Sequence, residues 1–428
     1  MVAYTFYESD NRVRRYAETL VKRGDDVDAI VLRRPGQVTF EIISGVRVYR
    51  IQQRVRNERG PLSHLIKLLL FFVCSTWVLT RLHFKRRYDI IHVHSVPDFQ
   101  VFAAAIPRLM GARVILDIHD IVPEFYASKF KVGRSSVVFR LLLLIEKLSV
   151  AYSDHVIISN HLWYAKLVQR STAPDKCTTI INYPDRSIFF RRPRTVGTNG
   201  NFVMCYPGTL SWHQGVDLAI AAVALLRDVV PNLRFLIVGD GPDLPKLKAM
   251  VEQQRLQDRV IIRRSVPIDE VAEIMASIDL GVVPKRSDSF GNEAFSTKIM
   301  EFMAMGVPVI ASSTRIDRYY FDDRVVQFFE AESVKDLAAK ILDLVQNPAK
   351  CSALRARGAA FIEKNDWDLK KSEYLDAVDR LLNQCASSHV TPNPQSHDPI
   401  EVSTDSSQPP QVLALDRRDT RKSRAVGK

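Results

Sequence analysis

Two glutamates with seven residues between them, Glu293 and Glu301, stand in the most informative stretch of the sequence, GNEAFSTKIMEFMAMGVPVIAS over residues 291–312. Ser296 or Thr297 can cap a helix that runs to about Met305, where Gly306 ends it ahead of a buried strand at 307–311. This places Glu293 in the loop at the helix entrance and Glu301 one turn inside. The open N–H groups and positive dipole end of such a helix start form an anion site suited to a diphosphate. Lys298, in the first turn, runs against the dipole preference, and a nearby anion would account for it.

Other chemistries find less support. His92 and His94 alternate on an expected strand without acidic or cysteine partners at metal-ligand spacing, so they read as structural and no metal is expected. Gly239-Asp240-Gly241 lacks the spacing of a dinucleotide fingerprint, which argues against redox chemistry. The five cysteines are scattered, odd in number and without C-x-x-C pairing, which argues against a disulfide framework or a structural zinc site and fits a reducing cytoplasm. The terminal RRDTRKSR run carries no interleaved aromatics, and no nucleic-acid role is expected.

The elements that must position these residues follow from periodicity. Short apolar runs at 27–32, 90–93, 114–118, 155–158, 179–181, 202–206, 234–238, 260–263, 280–283 and 307–311 read as strands. Helical stretches such as 216–227 and 245–255 separate most of them. Strand–helix alternation implies parallel sheets covered on both faces. The length of 428 residues suits two domains. The fold expected is α/β, with two Rossmann-like doubly wound domains facing across a cleft. The boundaries are an N-terminal domain over 1–184, a polar linker over 185–200, a C-terminal domain over 201–366, an amphipathic helix over 367–385 and a disordered tail over 386–428. The opening strand is anomalous, because only residues 2–6 precede Glu8 and no glycine turn follows. Either this strand is short or its first residues lie upstream of Met1. No signal peptide is expected at this start.

Charge is unevenly placed. Residues 1–110 hold 18 Lys and Arg against 10 Asp and Glu, a surplus of 8 within the net +12. Such a domain suits nucleic acid, an acidic substrate or an anionic membrane surface. Residues 68–80, LLLFFVCSTWVLT, are uncharged and followed by Arg81, Lys85, Arg86 and Arg87. The stretch is shorter than the ~20 residues needed to span a bilayer. It reads either as a buried domain helix with a basic end or as a helix lying in the membrane interface. Residues 137–145 are a weaker example of the same pattern.

Taken in order, the segments DIIHVHSVPDF (89–99), ILDIHDIVPE (115–124), YPGTL (206–210), LIVGDGP (236–242), IDLGVVP (278–284) and the E-x7-E stretch resemble retaining glycosyltransferases of the GT-B fold. The resemblance is to the family 4, or group 1, glycosyltransferases and covers roughly residues 5–384. It implies that Glu293 holds donor-sugar hydroxyls and Glu301 the nucleotide ribose. The amides around Phe295, Ser296 and Thr297 would receive the diphosphate, and His119 would touch the sugar across the cleft. By the same resemblance, the loop after the first strand of the second domain carries an Arg and a Lys for the diphosphate. Here that loop runs from Gly208 to Gly215, with Thr209 and Gln214 at those places and His213 adjacent. Lys285 or Lys298 is left to supply the charge.

The implied activity is hexosyl transfer from a UDP- or GDP-sugar, needing no cofactor, to a lipid-linked or glycan acceptor in cell-surface polysaccharide synthesis. The implied place is the cytoplasm, peripheral on the inner face of the plasma membrane. A sugar-nucleotide epimerase and a non-catalytic binding subunit of the same fold are the alternatives. Donor turnover separates them.

Overall fold

Runs of Val, Ile and Leu that are buried on both faces condense into two sheets. The computed structural model describes residues 1–54, 61–130, 133, 135–192 and 200–388. The tail expected over 386–428 lies outside the described residues from 389 onward, as does the linker segment 193–199. The first sheet is built from β1 (Val2–Ala3), β2 (Asp28–Arg33), β3 (Phe40–Ile43), β4 (Val46–Gln53), β5 (Ile90–His94), β6 (Arg113–Ile118), β7 (His155–Ile158) and β8 (Cys177–Thr179). Its spatial order is β3-β4-β2-β1-β5-β6-β7-β8, parallel except for the β3–β4 hairpin.

The second sheet is built from β9 (Phe202–Pro207), β10 (Leu233–Val238), β11 (Val260–Arg263), β12 (Leu280–Val283), β13 (Val309–Ser312) and β14 (Gln327–Phe329). Its order, β11-β10-β9-β12-β13-β14, is parallel throughout and reverses direction at β9. Ligands bind outside the carboxyl ends of strands at such a reversal, so the loops after β9, β10 and β12 define where to look. Apolar cores cover both faces of each sheet.

Several expectations shift. The opening strand is short: β1 has two residues and leads through Tyr4, Thr5 and Phe6 to a helical turn at Tyr7–Ser9. The strand expected at 179–181 forms at Cys177–Thr179, and that at 307–311 forms at Val309–Ser312. The hairpin β3–β4 and strand β14 are additions. Residues 46–51 do alternate, burying Val46, Val48 and Arg50. The inward position at Arg50 is a charge, which broke the apolar period; Glu8 and Glu41 neutralise it.

The stretch at 68–80 belongs to a helix of 26 residues, Pro61–Arg86. Within it Ser63–Arg86 is long and apolar enough to cross a membrane by length and composition, unlike the shorter segment read from sequence. The helix at the end of the second half, Trp367–Ser388, runs three residues into the segment expected to lack structure. It packs on the first sheet through Trp367, Tyr374, Val378 and Leu381 against Tyr16, Ile115, Ile157 and Ile180. Four cysteines, Cys74, Cys177, Cys205 and Cys351, are free.

Candidate active site

The loops after β9 and β10 and the helix Thr297–Ala304 enclose a cavity of about 680 Å³. Gly208, Thr209, Thr297, Lys298 and Glu301 share its wall with Gly239, Asp240 and Gly241. The glycines are there because two backbones touch. A Cβ on Gly239 would lie 1.8 Å from the Gly208 carbonyl oxygen, a contact no side chain tolerates. Gly208 itself, at φ 138°, leaves the notch into which Lys298 extends; a Cβ would meet Lys298 Cε at 2.6 Å.

Lys298 also lies over the Tyr206 ring, with its ammonium 5.4 Å from the centroid. Burial lowers the Lys298 pKa, against the attraction of Glu301. Burial raises the Glu301 carboxyl in turn, opposed by Lys298 and by a hydrogen bond from Thr297. Each group is therefore held in surroundings that favour loss of its charge, and a bound anion and hydroxyls would compensate both. Ser296 precedes the helix with extended backbone but its hydroxyl makes no cap bond, so the first-turn amides are not closed off by it.

The other expected residues sit elsewhere. The Tyr206 hydroxyl lies 2.9 Å from the Thr209 carbonyl and 3.0 Å from Gln214 Oε1, turning Gln214 inward. His213 Nδ1 is 3.4 Å from Asp288, which accepts a hydrogen bond from Ser128 of the first half. Phe295 packs edge-on to Tyr320 at 4.9 Å. Glu293 is buried and paired with Lys166 of the first half, with Arg315 at 3.7 Å. Lys285 is not available for a ligand: Asp317 neutralises it at 2.9 Å and the Ala294 carbonyl accepts from it at 2.6 Å. Of the two lysines named from sequence, Lys298 is the one in the cavity.

His119 follows β6 and is a fifth exposed, with Nε2 3.0 Å from Asp117 Oδ2. The same oxygen is 3.1 Å from His94 Nδ1, and Arg12 binds both oxygens at 2.7 and 2.8 Å. Burial alone would raise the Asp117 carboxyl, but Arg12 and His119 outweigh it and hold it well below the carboxylate range. Burial lowers both His94 and His92. The acidic partner that sequence spacing did not offer to His92 and His94 thus arrives through register, since His94 pairs directly with Asp117 across β5 and β6. His92, His94 and Asp117 are close enough to hold a cation. The carboxylate is instead occupied by Arg12, and the group is a hydrogen-bonded support beneath His119.

Comparison with known proteins resolves the family. The profile described as "Glycosyl transferases group 1" matches residues 190–361, and that described as "Glycosyl transferase 4-like domain" matches residues 9–182. An uncharacterised glycosyltransferase of Methanocaldococcus jannaschii is 30% identical over 281 residues, 65% of this chain and 72% of that protein. The chain belongs to the group 1 glycosyl transferases.

Solved structures agree on the GT-B fold of this glycosyl transferase. Sucrose-phosphate synthase from Thermosynechococcus elongatus matches with TM-score 0.72 and 19% identity over 90% of this chain and 99% of its own. The Anabaena protein HepE, solved with UDP-glucose, matches with TM-score 0.65 and 16% identity over 90% and 98%. The chain spans 47%, 28% and 48% of the length of three curated relatives, two of them phosphatidylinositol N-acetylglucosaminyltransferase subunits.

Three residues at this candidate site escaped sequence reasoning. Arg54 and Phe6 reach the cavity from the first half, and Lys166 holds Glu293. Arg54 follows the unexpected strand β4, and Lys166 is 127 residues from its partner. No local pattern marks either.

Proposed function

We propose that this protein is a retaining glycosyltransferase that moves a hexose from a UDP-sugar to a glycan or polyprenyl-linked acceptor in cell-surface polysaccharide synthesis. One observation carries the reading. Lys298 and Glu301, one turn apart, share with Gly208 and Thr209 a cavity at the carboxyl ends of parallel strands. In this reading Glu301 accepts from ribose hydroxyls, while Lys298 and the first-turn amides of its helix stabilise charge growing on the diphosphate. Uracil is favoured over guanine because the structurally similar HepE was solved with UDP-glucose.

During transfer the bond from the anomeric carbon to the diphosphate breaks, and its electron pair leaves with UDP. The acceptor hydroxyl oxygen bonds to the same face of that carbon, and its proton passes to the departing phosphate oxygen. Glu293, released from Lys166, and His119 would hold the sugar hydroxyls and fix its orientation. Lys298 provides the counter-charge, and no metal is assigned. The place of action is the cytoplasmic face of the membrane.

The test is UDP and GDP release from a panel of nucleotide sugars by wild type, Glu301→Ala and Lys298→Met, with donor binding read on the same samples. Release by wild type that both substitutions reduce at least tenfold supports the reading. Folded wild-type protein that binds none of the donors sinks it.

A further inference from the structure

We infer that three neighbouring helices of the first half form a docking surface that seats the protein on an anionic bilayer without crossing it. The helix Pro61–Arg86 has two apolar faces. One is buried, with Leu68, Phe71 and Leu79 in the core of the first sheet. The other is bare: Ile66, Leu70, Val73, Trp77 and Phe84 are each more than half exposed and recur at helical spacing. The short helix Ala105–Leu109 adds Leu109, 84% exposed, and the helix Val137–Tyr152 adds Val137, Leu141, Leu144 and Leu148.

These stripes belong to one surface. Residues 98–104 pack between the two long helices, with Gln100 donating to Ser75 at 2.5 Å on one side. On the other side Phe102 meets Tyr152 edge-on at 5.0 Å. An apolar expanse carried by three adjacent helices exceeds what scattered surface residues produce and marks an interaction site.

Charge identifies the occupant. Residues 63–88 contain no Asp or Glu but carry Lys67, Arg81, Lys85, Arg86 and Arg87. The only carboxylate on the helix Val137–Tyr152 is Glu146, which is buried and held by Arg170 at 2.5 and 2.8 Å. Arg86 is already answered by Asp28 of the same chain at 3.3 Å, but a second copy would set Arg81, Lys85 and Arg87 against the same cations. Anionic lipid headgroups answer them directly, while acyl chains receive the apolar stripes. Arg81 sits over Trp77 at 5.4 Å, an aromatic–cation pair suited to the headgroup level.

The helix is long enough to span, yet spanning would strip Phe71 from its edge contact with Tyr4 and Ser75 from Gln100. It lies flat. The docking gives a purpose to the lipid-linked acceptor of the preceding section and rests on that reading only for this purpose.

The experiment uses the full chain with phosphatidylcholine vesicles, with and without phosphatidylglycerol, measured by cosedimentation beside UDP binding by calorimetry. Wild type is expected to sediment with the anionic vesicles, to release in high salt and alkaline carbonate, and to bind neutral vesicles at least tenfold more weakly. Val73→Glu/Trp77→Glu is expected to lose at least tenfold in vesicle binding with UDP binding kept. Arg81→Gln/Lys85→Gln, which leaves the apolar stripe intact, is expected to lose the preference for phosphatidylglycerol. Wild type that ignores vesicle charge, that resists carbonate, or that forms a dimer dissolved by Val73→Glu/Trp77→Glu overturns the inference. Loss of UDP binding in wild type would instead strike the donor-site reading and leave the vesicle result standing.

Discussion

Arg12 grips Asp117 through two parallel bonds, Nε to Oδ2 at 2.8 Å and Nη2 to Oδ1 at 2.7 Å, with both side chains shut off from solvent. The carboxylate that this pair fixes also accepts from His119 Nε2 and His94 Nδ1. A carboxylate only accepts, so a ring that bonds Asp117 does so through a protonated nitrogen, and the two facing nitrogens, His94 Nδ1 and His119 Nε2, stand 3.2 Å apart. With Nε2 donating to Asp117, His119 has Nδ1 left as its acceptor.

Breaking one side of this pair leaves a buried charge alone, which costs about 3–5 kcal/mol. Asp117→Leu and Arg12→Met should each lower the urea unfolding free energy by that order. The double variant Arg12→Met/Asp117→Leu should cost clearly less than their sum while still failing to turn over donor, because His119 loses its fixed tautomer. Additive stability losses would show that the two side chains do not act as a unit.

Asp98 gives the stability a dependence on pH. Burial lifts its carboxyl from 3.8 to about 7, with the Ser95 hydroxyl opposing, Glu146 reinforcing and Arg170 opposing. The folded state therefore holds this proton more tightly than the unfolded chain. Its contribution is complete below pH ~4 and is lost as pH rises through about 7, a change of roughly 4 kcal/mol for this group. Asp98→Asn keeps the acceptor for Ser95, so it should gain stability over wild type at pH 8 and little at pH 4.5. Denaturant melts at the two pH values decide it; a difference that does not change with pH rejects the assignment.

Lys298 and Glu301 should separate by the part of the nucleotide they serve. Lys298→Met is expected to weaken UDP binding about tenfold to a hundredfold while leaving uridine nearly unchanged, since only the diphosphate loses its cation. Glu301→Ala should weaken UDP and uridine alike. Calorimetric titration with both ligands reads the contrast, and equal losses for Lys298→Met would remove it from the diphosphate.

The backbone contact under the cavity is open to one methyl group. Gly239→Ala places a Cβ 1.8 Å from the Gly208 carbonyl, and that loop must move. A loss of ~1–3 kcal/mol in stability is expected from such overpacking, together with weaker UDP binding. Wild-type affinity in this variant would mean that the loop after β9 does not contribute to the site.

Much of the strand order and the Glu293–Glu301 helix was legible in sequence, because parallel strands buried on both faces read as unbroken apolar runs. The β3–β4 hairpin was not, since Arg50 points inward where the period calls for an apolar residue. Its turn at Ser44 and Gly45, both at positive φ, was the available signal. Lys298 was visible as a cation out of place in a helix start. Its isolation from Lys285 was hidden, because Asp317 neutralises Lys285 from another segment. Asp117 lay in view as part of ILDIHD, but its grip by Arg12 joins residues 105 apart and only the fold reveals it.

The return of Trp367–Ser388 to the first half governs how the cleft can move. Tyr374 stacks on Tyr16 at 4.2 Å and Trp367 donates to Thr19 at 2.9 Å, so the second half is moored there as well as through the chain that precedes β9. Two moorings define an axis. Any opening of the cleft that the proposed function needs would be a swing about that axis, the motion of a door, and would part Ser128 from Asp288 and Phe125 from Phe290. On the proposed function, the Glu293–Lys166 ion pair would be the latch, undone when a sugar takes the carboxylate.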